Sequence, residues 1–436
     1  MKNVLTQKLK TLPAPMAGFI SQAGDLADEM GLRAYLVGGF VRDLLLGSGH
    51  FDIDLVVEGD GIRFAQECGR RLSLKVVAHG HFGTATLHGL EGFKADIASA
   101  RKEIYEKPAA LPCVSKGGIK DDLFRRDFTI NAMAIGINRH CYGEIFDFYG
   151  GRRDLESKTI RAMHPLSFID DPTRILRAVR FEKRFSFRLE SRTLLWIRQA
   201  LARRMLFCVQ KHRLRDELIL IFKERRPVPV LKRLWGLCGY SFISPGLVYR
   251  EGWNAAHTRM QKAACWFAAH AAHKRSLDTY VMLMCLFFEG LALRRLKETM
   301  LAFAFRKGES RRVLSYRKDA AVLERRLAKQ DLRPSEAYRL LEPLAYEVVV
   351  LVYALSAKKR VKDRIRDYLV VHHGTRLHVR GEDLAFLGFR PGPHFKKILT
   401  AILYAKVDGK LEGKNEELAL AKKMMVRLSR CTPVCR

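Results

Sequence analysis

"YLVGGFVRDLLLGSGHFDIDLVV", residues 35–57, decides the fold. An apolar run ends on Gly38 and Gly39, a helical spacing opens, and Asp52 and Asp54 then stand one residue apart in a β-rich stretch. Residues i and i+2 of a strand point to the same face, so the two carboxylates project side by side. Like charges that close repel unless a cation sits with them. An oxygen-only donor set suits Mg²⁺, which takes one or two protein carboxylates and fills its shell with water and phosphate oxygens. Asp96, in "FKADIASAR", falls in a later strand and is expected to join them, since three carboxylates on a sheet can hold two metals for in-line attack on phosphorus. The glycine pair fits the same chemistry. Gly38 and Gly39 let the backbone come close to a ligand, the following helix aims its N–H groups there, and Arg42 lies one turn in. Either half alone is ordinary: a GG turn is usually only a turn, and DxD is usually a solvated edge.

Outward from this stretch, residues 34 to about 148 alternate between β-rich runs ("AYLV", "IDLVV", "LKVVA", "GTATLHG", "FKADIA") and helix-like ones ("VRDLLLG", "GIRFAQECGRRL"). Residues 1–30 read as a helical lead-in. After "GGRRDLESKTIR" at 150–161 the strands are expected to stop, and from about 170 the spacing is helical with basic residues on the outer faces. Pro227 and Pro229 separate one helix from the next, and "GFRPGPHF" at 388–395 is a second turn-rich point. The fold class is therefore α+β: a mixed β-sheet unit followed by an elongated, basic, all-α body.

Two arginine clusters follow. "DDLFRRDFTINAMAI" at 121–135 sets Arg125, Arg126, Asp127 and Asn131 around an apolar helix, where Arg126 is expected to meet phosphate or ribose with Asp127 orienting it. In "DDPTRILRAVRFEKRF" at 170–185, Pro172 suits a first helical position with Asp170 or Asp171 as cap. Arg174, Arg177 and Arg180 then share one helix face. Asp171 only accepts hydrogen bonds and Arg174 only donates. Held together, they match the amino donor and ring-nitrogen acceptor that cytosine and adenine share, and mismatch guanine and uracil. The bland reading is a capped helix with a solvated basic stripe.

The whole chain has 436 residues, 48% hydrophobic, enough for two or three folded domains. It carries 78 Lys and Arg against 46 Asp and Glu, a net charge of +32, and a sequence pI near 10.0. Such a charge points to a polyanionic partner, nucleic acid first and an anionic membrane surface second. The longest apolar runs, "YVMLMCLFF" at 280–288 and "VVVLVYAL" at 348–355, are too short to span a bilayer and read as buried helix. No signal peptide is expected. Nine cysteines with no CxxC or zinc spacing, Cys431 and Cys435 included, predict reduced thiols in a cytoplasm.

"LVGGFVRDLLLG…FDIDLVV", "RRDFTINAMAI", "DFYGGRRDLESKTIR" and "DDPTRILRAVRFEKRFSF" resemble, in this order, the motifs of the class II tRNA nucleotidyltransferase and bacterial poly(A) polymerase family. The likeness covers roughly residues 30 to 190, with weaker continuations at "LRDELILIF" (214–222) and "RGEDLAFLGFRPGPHFKKIL" (380–399). It implies a head, neck, body and tail: a catalytic head over 1–150, a helical neck with the base-binding helix over 151–230, and a helical body and tail over 231–436 that hold the tRNA acceptor end. It places the metal-binding aspartates at Asp52 and Asp54, phosphate contacts at Gly39 and Arg42, the second-motif arginine at Arg126, and the base-reading pair at Asp171 and Arg174. Arg177 and Arg180 lie on the same helix. Asp170 stands where the family usually has Glu. The activity implied is metal-dependent addition of CMP and/or AMP from CTP or ATP to the tRNA 3′ end, with two Mg²⁺ ions. CCA, CC-only and A-only addition all remain open. "YEKPAALPCV" at 105–114, where the family has a flexible loop, looks like versions from members with divided activities. A poly(A) polymerase is the enzymatic alternative and a non-catalytic RNA-binding protein the other. No phosphohydrolase pattern, and no room upstream for a large module, is expected.

Overall fold

The computed structural model describes residues 2–49, 52–80, 83–90, 92–271, 275–387 and 391–430. Gly388 to Arg390, part of the second turn-rich point, and Cys431 and Cys435 lie outside the described residues. The chain divides into two compact units, residues 1–221 with 236–238, and residues 222–235 with 239–436.

The first unit is built on a seven-stranded mixed sheet. Its strands are β1 (Arg33–Val37), β2 (Ile53–Glu58), β3 (Lys75–His79), β4 (Thr84–Leu90), β5 (Phe93–Ser99), β8 (Ala134–Gly136) and β9 (Ile145–Phe146), in the order β3-β4-β5-β2-β1-β8-β9. β6 (Arg101–Ile104) and β7 (Cys113–Lys116) form a separate antiparallel hairpin. The period-two pattern does the sorting. Tyr35, Val37 and Val56 join Leu123, Ala132 and Ala134 in one buried cluster, while Leu36, Leu55 and Ile97 are buried on the alternate positions. The helix Gly61–Leu72 is capped by Asp60, whose carboxylate accepts from the N–H groups of Ile62 and Arg63 at 3.0 Å each, and buries Phe64, Ala65 and Cys68.

β2 runs parallel to β5 and antiparallel to β1, in a register that sets Asp54 directly across from Asp96. β1 leads through Gly38 into the helix Gly39–Leu46. Strands do not stop after 161. β10 (Thr159–Ile160) pairs in parallel with β11 (Arg188–Leu189), and the helix Arg174–Arg184 is the crossover between them. Two-residue strands are too short to show alternation, which is why the pattern passed over them.

Among its described residues the second unit contains helices and no strands. Helix Thr279–Phe288 is buried all round from Val281 to Phe288, and Tyr346–Leu355 is buried from Glu347 to Val352. No described helix is long and apolar enough to cross a membrane. Glu347, fully buried, is satisfied by both Nη groups of Arg275 at 2.7 Å, by Arg312 at 2.9 Å and by the Asp278 N–H at 3.1 Å.

Candidate active site

The site is contained in the first unit. A cavity of about 600 Å³ is lined by Gly39, Arg42, Asp54, Arg126, Asp127, Asn131, Asp171, Arg174 and Arg177, among others. A second, of about 380 Å³, adjoins the sheet and is lined by Asp54, Asp96, Arg125 and Arg126 among others. Asp54 borders both.

Asp54 and Asp96 face each other across parallel strands, and Asp52 lies one residue ahead of β2, exposed. Burial pushes the Asp54 carboxyl up to about 6. Arg126 opposes the shift, and Asp96 and Asp52 add to it. Asp96 differs. Burial acts against ionisation, but Lys94 Nζ donates to it at 2.8 Å and Thr86 Oγ1 at 2.6 Å, and these hold its carboxyl below the usual range. Asp96 lies beside Asp54 with both oxygens engaged, and among the described residues no group of three or more His, Cys, Asp or Glu forms a metal cage.

Gly38 has φ +65°, a left-handed conformation that favours glycine, and a Cβ there would collide with Nη1 of Arg126. The close approach is thus to an arginine of this chain. Gly39 has room: a Cβ there would come no closer than 3.5 Å, to Arg42 Nη2. Arg42 is buried and held by Asp43 through Nε at 2.9 Å and Nη2 at 2.8 Å. Its Nη1 donates to Asn131 Oδ1 at 2.5 Å, and its guanidinium lies 4.7 Å from the Phe185 ring centroid. Asn131 donates to Asp127 at 2.9 Å, Asp127 pairs with Arg177 at 2.7 Å, and Arg177 pairs with Glu217 at 3.0 Å. Glu217 also lies 3.7 Å from Arg180. One polar chain therefore runs from the glycine turn to the helix Arg174–Arg184. Burial alone would raise the Asp127 carboxyl, but Arg177 and Asn131 bring it down to about 2.

Two local expectations need correction. Arg126 is held by Asp122 at 2.9 Å and not by Asp127. Asp122 sits four residues earlier on the helix Ile119–Phe124 and reaches over its end, while Asp127 turns toward Arg177. Residues 125–135 are not one helix: a single turn at Thr129–Asn131 leads into β8. The expected cap at Asp171 is present: its Oδ1 accepts from the Thr173 N–H at 3.1 Å and Thr173 Oγ1 at 2.6 Å, its carbonyl accepts from the Arg174 N–H at 3.1 Å, and the regular α-helix follows from Arg174.

Asp171 and Arg174 do line the same cavity. Arg174 Nη2 donates to the Arg125 carbonyl at 2.7 Å, while its Nη1 is buried with no partner. Arg180 lies outside the cavity lining. Asp170 is half-buried, its carboxyl raised by burial against the pull of Arg174.

Sequence reasoning missed Asp122, Glu103, Tyr105, Arg213 and Glu217, all within this polar network or cavity. Glu103 comes from β6, which the sequence presented as loop; it takes Arg101 at 2.8 Å and Arg125 at 3.2 Å, while Tyr105 Oη donates to it at 3.2 Å. For Arg213 and Glu217 a signal existed. They stand four apart in "HRLRDELILIF", on one face of the helix Lys211–Phe222.

The Poly A polymerase head domain matches residues 34–161. The A-adding tRNA nucleotidyltransferase of Geobacter sulfurreducens is 36% identical over 415 residues, 94% of this chain. The chain spans about half that protein's length, 47%. The A-adding tRNA nucleotidyltransferase of Halalkalibacterium halodurans is 33% identical over 434 residues, 96% of this chain and 95% of its own length. A solved CCA-adding enzyme complexed with ATP superposes with a TM-score of 0.74 at 32% identity, over 98% of each chain. With a full-length relative, a shared fold and the head model laid over the strands that carry Asp54 and Asp96, the chain belongs to the class II tRNA nucleotidyltransferase family.

Proposed function

We propose that this protein extends the 3′ end of tRNA by template-independent nucleotidyl transfer, and that its reaction is the addition of the terminal AMP from ATP. The observation that carries the reading is the cavity itself: Asp54, opposed by Asp96, lies at one side, and Asp171 and Arg174 lie in the same lining. The full-length Halalkalibacterium relative and the Geobacter relative both bear the A-adding name, which favours AMP over CMP.

Asp52 and Asp54 are assigned to hold divalent metal, two Mg²⁺ ions. The fit rests on Asp54: a half-buried carboxyl, raised to about 6 with two acidic neighbours, lacks positive charge that a cation would supply. Held by Asp52 and Asp54, such ions would supply activation of the attacking hydroxyl and offset charge building on phosphorus. The 3′ oxygen of tRNA forms a bond to the α-phosphorus, the bridging bond to the β-phosphate breaks, and pyrophosphate leaves. Arg126, kept over the glycine turn by Asp122, and Arg42, with the N–H groups opening the helix Gly39–Leu46, face the triphosphate. Asp127 and Asn131 keep Arg42 and Arg177 in place. Asp171 accepts from the base amino group, and the spare Nη1 of Arg174 donates to its ring nitrogen. The site of action is the cytoplasm, where tRNA ends are processed.

The test is incorporation of labelled nucleotide into tRNA ending at the discriminator base, at C and at CC, with CTP alone, ATP alone or both. AMP transfer confined to the CC end is expected. CMP transfer to the shorter ends would replace the A-adding reading with CC or CCA addition, and long A tails on any RNA would replace it with poly(A) synthesis.

A further inference from the structure

The carboxylate of Asp171 is held from two sides by residues that sequence motifs did not connect. Its Oδ1 accepts from the Thr173 N–H at 3.1 Å and from Thr173 Oγ1 at 2.6 Å. Its Oδ2 pairs with Arg213 Nη2 at 2.9 Å. Arg213 comes from the helix Lys211–Phe222, lines the same cavity, and is mostly shielded from solvent. Four residues on, Glu217 meets Arg177 at 3.0 Å and Arg180 at 3.7 Å. Residues four apart on a helix share a face, so this face braces Asp171 and the arginine stripe together.

A carboxylate has about four acceptor directions. Three of those on Asp171 are taken by Thr173 and Arg213, which leaves one, on Oδ2. A free aspartate rotates about χ2 and offers either oxygen; this one does not. We propose that Arg213 is a positioning residue for base choice, fixing Oδ2 of Asp171 so that a single acceptor faces the exocyclic position of the incoming base. This rests on the base-reading role proposed above for Asp171. A base with an amino group at that position, cytosine or adenine, completes the set. One with a carbonyl, uracil or guanine, sets acceptor against acceptor, and the held carboxylate cannot swing away to relieve it. Without Arg213 it can, and discrimination should weaken.

The experiment measures kcat/KM for all four nucleotides, with KM for tRNA, in wild type, Arg213→Gln, Thr173→Val and Asp171→Asn. In Arg213→Gln the preference for ATP or CTP over UTP and GTP should fall by about tenfold, as expected for losing one charge-assisted hydrogen bond that fixes the reader. KM for tRNA should stay within about twofold. Thr173→Val, near-isosteric and acting on the other oxygen, should lower the same preference by a few-fold, which keeps the test decisive if Arg213→Gln folds poorly. A merely structural Arg213 would lower all four kcat/KM values by one common factor, and that result overturns the proposal. An Asp171→Asn enzyme with unchanged base preference overturns the base-reading role, and the positioning role falls with it. If Asp171→Asn misincorporates UTP while Arg213→Gln and Thr173→Val keep wild-type selectivity, Asp171 reads the base but Arg213 does not position it.

Discussion

Asp54 is half-buried between two cavities, with a carboxyl shifted to about 6 by burial and by its acidic neighbours, a shift that Arg126 and Lys94 oppose without cancelling. Asp54→Ala and Asp52→Ala should leave folding intact and lower turnover by about 10³-fold, roughly 4 kcal/mol of transition-state stabilisation. Single-turnover AMP transfer measures it, and activity within tenfold of wild type in both variants would remove the metal assignment. Asp127 is the opposite kind of carboxyl. Four hydrogen bonds converge on it, from Phe128 N–H, Asn131 Nδ2, and Nε and Nη2 of Arg177. Its carboxyl is depressed from 3.8 to about 2, so the unfolded chain binds the proton more tightly. Its contribution to stability is therefore fully present above pH ~4 and lost as pH falls toward 2. Asp127→Asn should cost about 3 kcal/mol at pH 7, because Arg177 keeps only Glu217. The gap from wild type should narrow between pH 4 and 2.5 in urea titrations, and a gap constant across that range would show that the charge does not matter. Of these two residues, the sequence revealed Asp54 through strand period. It could not reveal that Asp127 serves Arg177, because the choice between Arg126 and Arg177 depends on where a six-residue helix ends.

At the scale of elements, what was legible followed from periodicity. β1, β2, β4 and β5 lie where alternating runs put them, and the two apolar helices are buried as their composition requires. What was missed lacked a pattern. The hairpin β6–β7 spans "YEKPAALPCV", where Pro108 and Pro112 argue against strand, yet its tip is tied down by the Ala109 N–H on the Ile169 carbonyl at 3.1 Å. Basic residues of the helical region are expected on its outer faces, and Arg364 departs from that. Its Nη1 donates to the carbonyls of Leu327 and Lys329 at 2.6 and 2.5 Å, and its Nη2 to Gln330 and Leu332 at 3.0 and 3.1 Å. These close the C-terminus of the helix Lys307–Leu327. Arg364→Ala should destabilise the second unit by about 1–3 kcal/mol, seen as a lower urea midpoint, with ATP affinity unchanged. An unchanged midpoint would return Arg364 to the exposed basic face.

For the molecule as a whole, the 78 Lys and Arg have to be read against the ion pairs that engage some of them. Many arginines are spent internally: Arg42 on Asp43, Arg177 on Asp127 and Glu217, Arg275 and Arg312 on Glu347. Others are exposed and available to a polyanion. In the second unit Lys297, Lys307, Arg311 and Lys318 are exposed around one groove. The last three lie at helical spacing, i, i+4 and i+11, along the helix Lys307–Leu327, so they follow one face. Binding of tRNA should then release counterions, and the logarithm of affinity should fall linearly with the logarithm of salt concentration. With about six phosphate contacts, affinity should drop about 10³-fold between 50 and 200 mM salt, whereas ATP, a small ligand held by buried groups, should respond far less. Lys307→Ala with Arg311→Ala should weaken tRNA binding and reduce the salt slope by about 2, one for each cation removed. Filter binding across a salt series gives both numbers, with ATP affinity as the internal control. A double variant whose affinity falls while its slope stays at the wild-type value would mean that the helix face was distorted rather than stripped of phosphate contacts. A variant unchanged in both would place the grip on other lysines and arginines.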